Sequence, residues 1–156
     1  MSRPFLAAAD EFNHSHSVGG IKISDRELHL VGLSKLIEPT EKQHLRRAFA
    51  TQNSREKWLR RLCHDIEMHP DFSNEPPRGS RDENSLFKRL IDLGAPQSCY
   101  VIASDSDLDD SFQPLHTMIA TAHLNFNHGT ILSCVPGRLA LFRTAHPCKH
   151  IIAHRV

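Results

Sequence analysis

What this chain lacks narrows it first. No apolar run approaches the roughly 20 residues needed to cross a bilayer. The apolar stretch in "MSRPFLAAADEF" is five residues long, too short for a secretory leader. A soluble, cytoplasmic protein with no membrane contact is therefore expected. An excess of charge of either sign is missing as well. Nineteen Lys and Arg stand against 18 Asp and Glu, a formal net charge of +1, which gives no general pull toward nucleic acid or anionic lipid. Gly-rich phosphate loops, Gly-x-Ser-x-Gly elbows and Walker patterns are all absent. No catalytic motif announces itself, and a non-enzyme is favoured.

Cysteine is sparse, with Cys63, Cys99, Cys134 and Cys148 spaced 36, 35 and 14 residues apart. A chain of 156 residues buries enough surface to fold without disulfide staples. Cys99 and Cys134 also lie in apolar, strand-like runs, so buried free thiols in a reducing compartment are predicted. With 39% hydrophobic and 24% charged residues the composition is globular. Residues 1–156 read as one domain, with no internal repeat.

Charge is unevenly distributed within that neutral total. Residues 40–62 carry seven basic side chains (Lys42, Arg46, Arg47, Arg55, Lys57, Arg60, Arg61) against Glu41 and Glu56. Residues 90–137 carry five aspartates and no Lys or Arg. The basic half reads as helix. Thr40 with Gln43 forms a capping-box pattern, and Ser54 is the expected cap of a second helix. In that second helix Trp58, Leu59, Leu62, Cys63 and Ile66 share one arc, while Lys57, Arg60, Arg61 and His64 share another. Upstream, "ISDRELHLVGLSKLIEP" suits either a helix capped by Ser24 and closed by Pro39, or a hairpin. Helix is preferred.

"DFSNEPPRGSRDEN", residues 71–84, reads as a linker rich in Pro, Ser and charge. "SLFKRLIDLGAP" follows as a short helix stopped by Gly94 and Pro96. Then come a strand at "CYVIAS", a helix at "PLHTMIATAHL", and strands at "GTILSCV", "RLALFRT" and "KHIIAHRV". Pro136-Gly137 suits a type II turn, which fits a two-residue hairpin poorly and predicts a wider connection. The expected fold is α+β: a helical N-terminal half, about 21–69, then the linker, then a β-α-β-β unit over 85–156 forming a small, mainly antiparallel sheet.

Two clusters invite a metal. In "DSDLDDSFQPLH" Asp105, Asp107 and Asp109 match the first three ligand positions of an EF-hand loop. The Gly and the bidentate Glu of that loop are replaced by Asp110 and His116. A polar turn with Asp110 or Ser111 capping the next helix is the better reading. In "HPCKHIIAH" the residues His146, Cys148, His150 and His154 share strand parity, and imidazole and thiolate are zinc ligands. Their spacing matches no zinc signature, and Pro147 points to an edge or loop.

The expected function is thus a small binding or regulatory, adaptor-like domain. Arg46, Arg47, Lys57, Arg60 and Arg61 would dock an acidic protein partner or a second copy of the chain. No cofactor is expected. The alternatives are a zinc-dependent enzyme built on His146, Cys148, His150 and His154, and a nucleic-acid-binding protein using the basic helix pair. For the last, near-neutral net charge and a turn without Gly argue against helix-turn-helix recognition.

Overall fold

The computed structural model describes residues 15–18, 21–37, 51–62, 69–103, 107–124, 129–145 and 148–156. The chain opens with an antiparallel hairpin of β1 (Ser15–Val18) and β2 (Ile21–Ser24). Helix α1 (Asp25–Leu33) follows directly. Of the ambiguous segment only Ile23 and Ser24 are strand, and the preferred helix forms over Asp25–Leu33, taking in Leu28 and Leu30. Ser24 ends the strand and caps the helix, its hydroxyl accepting the Glu27 N–H at 3.3 Å. The helix stops at Leu33, short of Pro39. Ser34 turns its hydroxyl back onto the Val31 carbonyl at 2.6 Å, which competes with continued helix.

Helix α2 covers Gln52–Leu62. Its cap is Thr51 rather than Ser54, because the Thr51 Oγ1 accepts the Ser54 N–H at 3.2 Å. The first basic helix expected around residues 40–50, with Arg46 and Arg47, lies outside the described residues. Within 71–84, the stretch expected as a linker, β3 (Ser73–Asn74) and a short 3-10 turn (Arg78–Ser80) form. Helix α3 (Glu83–Asp92) is capped by Asp82, which accepts the Ser85 N–H at 2.9 Å and its hydroxyl at 2.6 Å. It ends in a Schellman motif. Gly94, at φ +104°, donates to Ile91 O while Ala95 donates to Leu90 O.

Five further strands and one helix complete the chain. These are β4 (Ser98–Ala103), β5 (Ser111–Pro114), α4 (Leu115–Leu124), β6 (Thr130–Val135), β7 (Leu139–Ala145) and β8 (Cys148–His154). The main sheet has the order β3-β8-β7-β6-β4-β5, and every neighbouring pair is antiparallel. The α+β class is as expected. β3 and β5 are strands the sequence pattern did not reveal. Because β5 intervenes, neither Asp110 nor Ser111 caps α4.

Alternation along the strands sorts side chains onto two buried faces. Tyr100, Ile102, Ile131, Phe142 and Ile151 pack with Leu33 at the end of α1, with Leu36 and Ile37 just after it, and with Trp58 of α2. Val101, Leu132, Leu141 and Ile152 pack with Leu86 and Leu90 of α3 and with Leu115, Met118 and Ile119 of α4. The result is three layers, helix–sheet–helix. A strand covered on both sides reads as a continuous apolar run, as β4 and β6 do.

The β6–β7 connection is wider than two residues. Gly137 sits at φ +70°, Arg138 N–H bonds to Val135 O at 3.0 Å, and the register shifts between Ser133 and Val135. This turn also seats α1. A Cβ on Gly32 would lie 2.3 Å from the Gly137 nitrogen, so glycine alone allows the helix so close.

Candidate functional site

The charge division of the sequence meets in space at the β4–β5 turn. Arg55 points inward from α2 and grips Asp109 in a fork, Nε and Nη2 each at 2.8 Å from a carboxylate oxygen. Asp109 also accepts the Ala103 N–H at 3.1 Å. The pair is nearly sealed, with side chains 9% and 12% exposed. Arg26 of α1 makes a second fork to Asp110, at 2.6 and 3.2 Å, in a more open position. Asp110 also accepts the Tyr100 hydroxyl. It adopts φ +60°, a conformation Asp tolerates better than most residues and one that aims its carboxylate back over β4.

Each shifted ionisation has a local cause. Burial alone would raise Asp110, but the Arg26 and Tyr100 hydrogen bonds outweigh it and hold the carboxyl below its ordinary range. Burial would lower Arg55, and the Asp109 hydrogen bond reverses that. Burial raises Tyr100, and its bond to Asp110 adds to the shift. The Asp-rich turn is therefore a clasp for two helices. Asp109 and Asp110 already have cationic partners, which leaves these two poor calcium ligands.

Beneath the clasp, His29 Nδ1 lies 2.6 Å from Ser133 Oγ. The imidazole stacks on Tyr100 and meets Phe112 edge-on, each at 5.6 Å between centroids. Burial lowers its pKa to about 4, with Asp25 opposing weakly. A hydroxyl against an imidazole is the geometry of an activated nucleophile. Ser133 is 1% exposed, however, which leaves a substrate no approach. The contact joins α1 to β6 and satisfies two buried polar groups.

The basic face expected on α2 is rearranged. Arg55 belongs to the interior, while Lys57, Arg60 and Arg61 are exposed and Glu56 lies beside them. Trp58 is buried on the opposite side. The side chains of Leu59 and Leu62 lie outside the described residues, as do Cys63, His64 and Ile66.

The C-terminal His/Cys series does not gather on one point. His146 lies outside the described residues; Cys148 is exposed, His150 buried and His154 half-buried along β8. An extended strand separates Cys148 from His154 by about 20 Å, and His150 stands opposite Arg143 of β7. Among the described residues no three His, Cys, Asp or Glu side chains are placed to hold a metal ion.

One feature was invisible in the sequence. A groove of about 720 Å³ opens between α3, the β3 segment and the end of β8. Phe72, Leu93 and Ile152 give it apolar surface, and the volume suits a small ligand. Its charges are mixed. Lys88 and Arg89 line the helix side, with Asp71, Glu75 and Asp92 against them. No sign of ligand is selected. The only signal in sequence was the Pro-Pro pair flanked by charge, which reads as linker. Among the described residues no helix is long and apolar enough to cross a membrane. Compared with family models, curated proteins and solved structures, the chain matches none of them.

Proposed function

We propose that this chain is a small binding or regulatory domain that docks an acidic protein surface, or a second copy of itself, through the exposed side of α2. The observation that carries this reading is the two-sidedness of the helix. Trp58 in the core and Arg55 in its fork with Asp109 fix the helix from within. Lys57, Arg60 and Arg61 are thereby held on the solvent side. The acidic turn takes up Arg55 and Arg26. Cations fixed on a rigid element steer an oppositely charged partner and set its orientation more than they add raw affinity.

Polyglutamate is a simple stand-in for an acidic surface, and random duplex DNA is the competing polyanion. The wild-type chain is expected to bind polyglutamate at low salt, weakening as salt rises, with no duplex shift. Arg60→Glu combined with Arg61→Glu should abolish that binding while leaving the thermal midpoint in place, because both side chains are exposed. A duplex shift lost on reversal would identify nucleic acid as the partner instead. Polyglutamate binding untouched by the reversal would remove α2 from the interface.

A further inference from the structure

We propose that Cys99 and Cys134 are a disulfide-competent pair across the neighbouring strands β4 and β6, open under reducing conditions and closed by oxidation. β4 and β6 are antiparallel, with Tyr100 opposite Ser133 at the last registered position. Cys99 and Cys134 are the next residues beyond that register, with Cys134 at the point where β6 shifts register against β7. Both side chains lie on the same face, in the cluster that holds Val101 and Leu132. Opposed residues of an antiparallel pair have Cα atoms about 4.5–5.5 Å apart, within the roughly 4.4–6.8 Å that a disulfide spans. Both thiols are free. Each is turned to a carbonyl, Cys99 to Gln113 O and Cys134 to Leu132 O, both at 3.6 Å. A thiol is a weak donor, so rotating each side chain toward the other gives up little.

Burial decides when the pair can react. At 1% and 3% exposed, neither thiol meets an oxidant in the closed fold. Burial, and then the neighbouring Cys134, raises the Cys99 thiol well above its ordinary range; burial alone pushes Cys134 up to about 12. Little thiolate is therefore available until the β4–β6 ladder opens locally. Glutathione disulfide is then a sufficient oxidant. One cysteine thiolate attacks it, releasing one glutathione thiolate and leaving a mixed disulfide on the protein. The second cysteine loses its proton, displaces the remaining glutathione and forms the protein S–S bond. The protein loses two protons and two electrons, and one glutathione disulfide becomes two glutathiones. The bridge ties positions 35 residues apart, which restricts the unfolded chain and locks β4 to β6.

The variant carrying Cys63→Ser and Cys148→Ser keeps only this pair. It is incubated with glutathione disulfide in denaturant too dilute to unfold it, then analysed by intact mass, peptide mapping and thermal melting. The expected product is lighter by two hydrogens, yields a Cys99–Cys134 cross-linked peptide, and melts above the reduced form. A product that gains glutathione without bridging, or that keeps both thiols, overturns the pairing. A bridged product that melts below the reduced form does the same, because the strands then do not hold the two cysteines in bridging distance. If the double variant fails to fold, mapping of the oxidised wild-type chain decides between this bridge and any other pairing of its cysteines.

Discussion

His29 is kept neutral by its surroundings, and that has a measurable consequence for stability. In the unfolded chain its pKa is near the ordinary 6.5, and in the fold it is about 4. Above pH 6.5 the group is neutral in both states and contributes no pH dependence. As pH falls below 6.5 the unfolded chain takes up a proton that the native chain does not, so stability is lost with acidification. The loss levels off near pH 4 and amounts to about 3 kcal/mol over that window. His29→Gln can retain a bond to Ser133 without titrating, so the difference between wild type and variant in urea unfolding should shrink as pH drops. A constant difference from pH 7 to 4 would show that His29 is not buried as described. Arg55 supplies the second test at this scale. Its fork with Asp109 is almost dry, so Arg55→Ala strands a buried carboxylate and should cost about 3–5 kcal/mol. A loss below about 1 kcal/mol would mean the pair is solvated, as exposed pairs are.

Among the elements, α2 shows how a local pattern can be right about the helix and wrong about its start. Thr51 and Ser54 are both good caps, and sequence alone favoured the later one. The bond from Ser54 N–H to Thr51 Oγ1 settles the start one turn earlier. Thr51→Ala is therefore expected to cost about 1 kcal/mol. Ser54→Ala should cost clearly less, since the Ser54 hydroxyl only accepts from Thr51; equal losses would return the cap to Ser54. Elements with long apolar runs or capping pairs were legible: β4, β6, β7, β8, α1, α3 and α4 all sit close to where periodicity put them. β3 was not, because a strand of two residues carries no period and lies among prolines. Nor was the role of Asp109 and Asp110. Their partners Arg55 and Arg26 lie 54 and 84 residues away in the chain, so no local reading could pair them. The acidic turn looked like a solvated cap for that reason.

For the molecule as a whole, a helical first half and a sheet-forming second half suggest two parts, but the contacts do not divide there. The helices α1 and α2 have no core of their own among the described residues. Leu33 and Trp58 are buried in one cluster with Tyr100, Ile102 and Phe142 of the sheet. Both helices are also pinned through Arg26 and Arg55 to the turn between β4 and β5. The segment between the halves adds a strand to the same sheet, with Ser73 and Asn74 paired to Ala153 and Ile152 of β8. Removing the helical layer would expose one whole face of the sheet, and an antiparallel sheet patterned as apolar on both sides does not tolerate that. The two halves should therefore unfold together. Trp58 is the chain's single tryptophan and reports on the helical layer, while far-UV circular dichroism reports on all of the secondary structure. Their urea transitions are expected to superimpose with one midpoint. The Arg55→Ala variant should shift both by the same amount. If Trp58 fluorescence changes at lower urea than the dichroism, the helical layer is a separate cooperative unit, and the fork between Arg55 and Asp109 joins two parts rather than completing one.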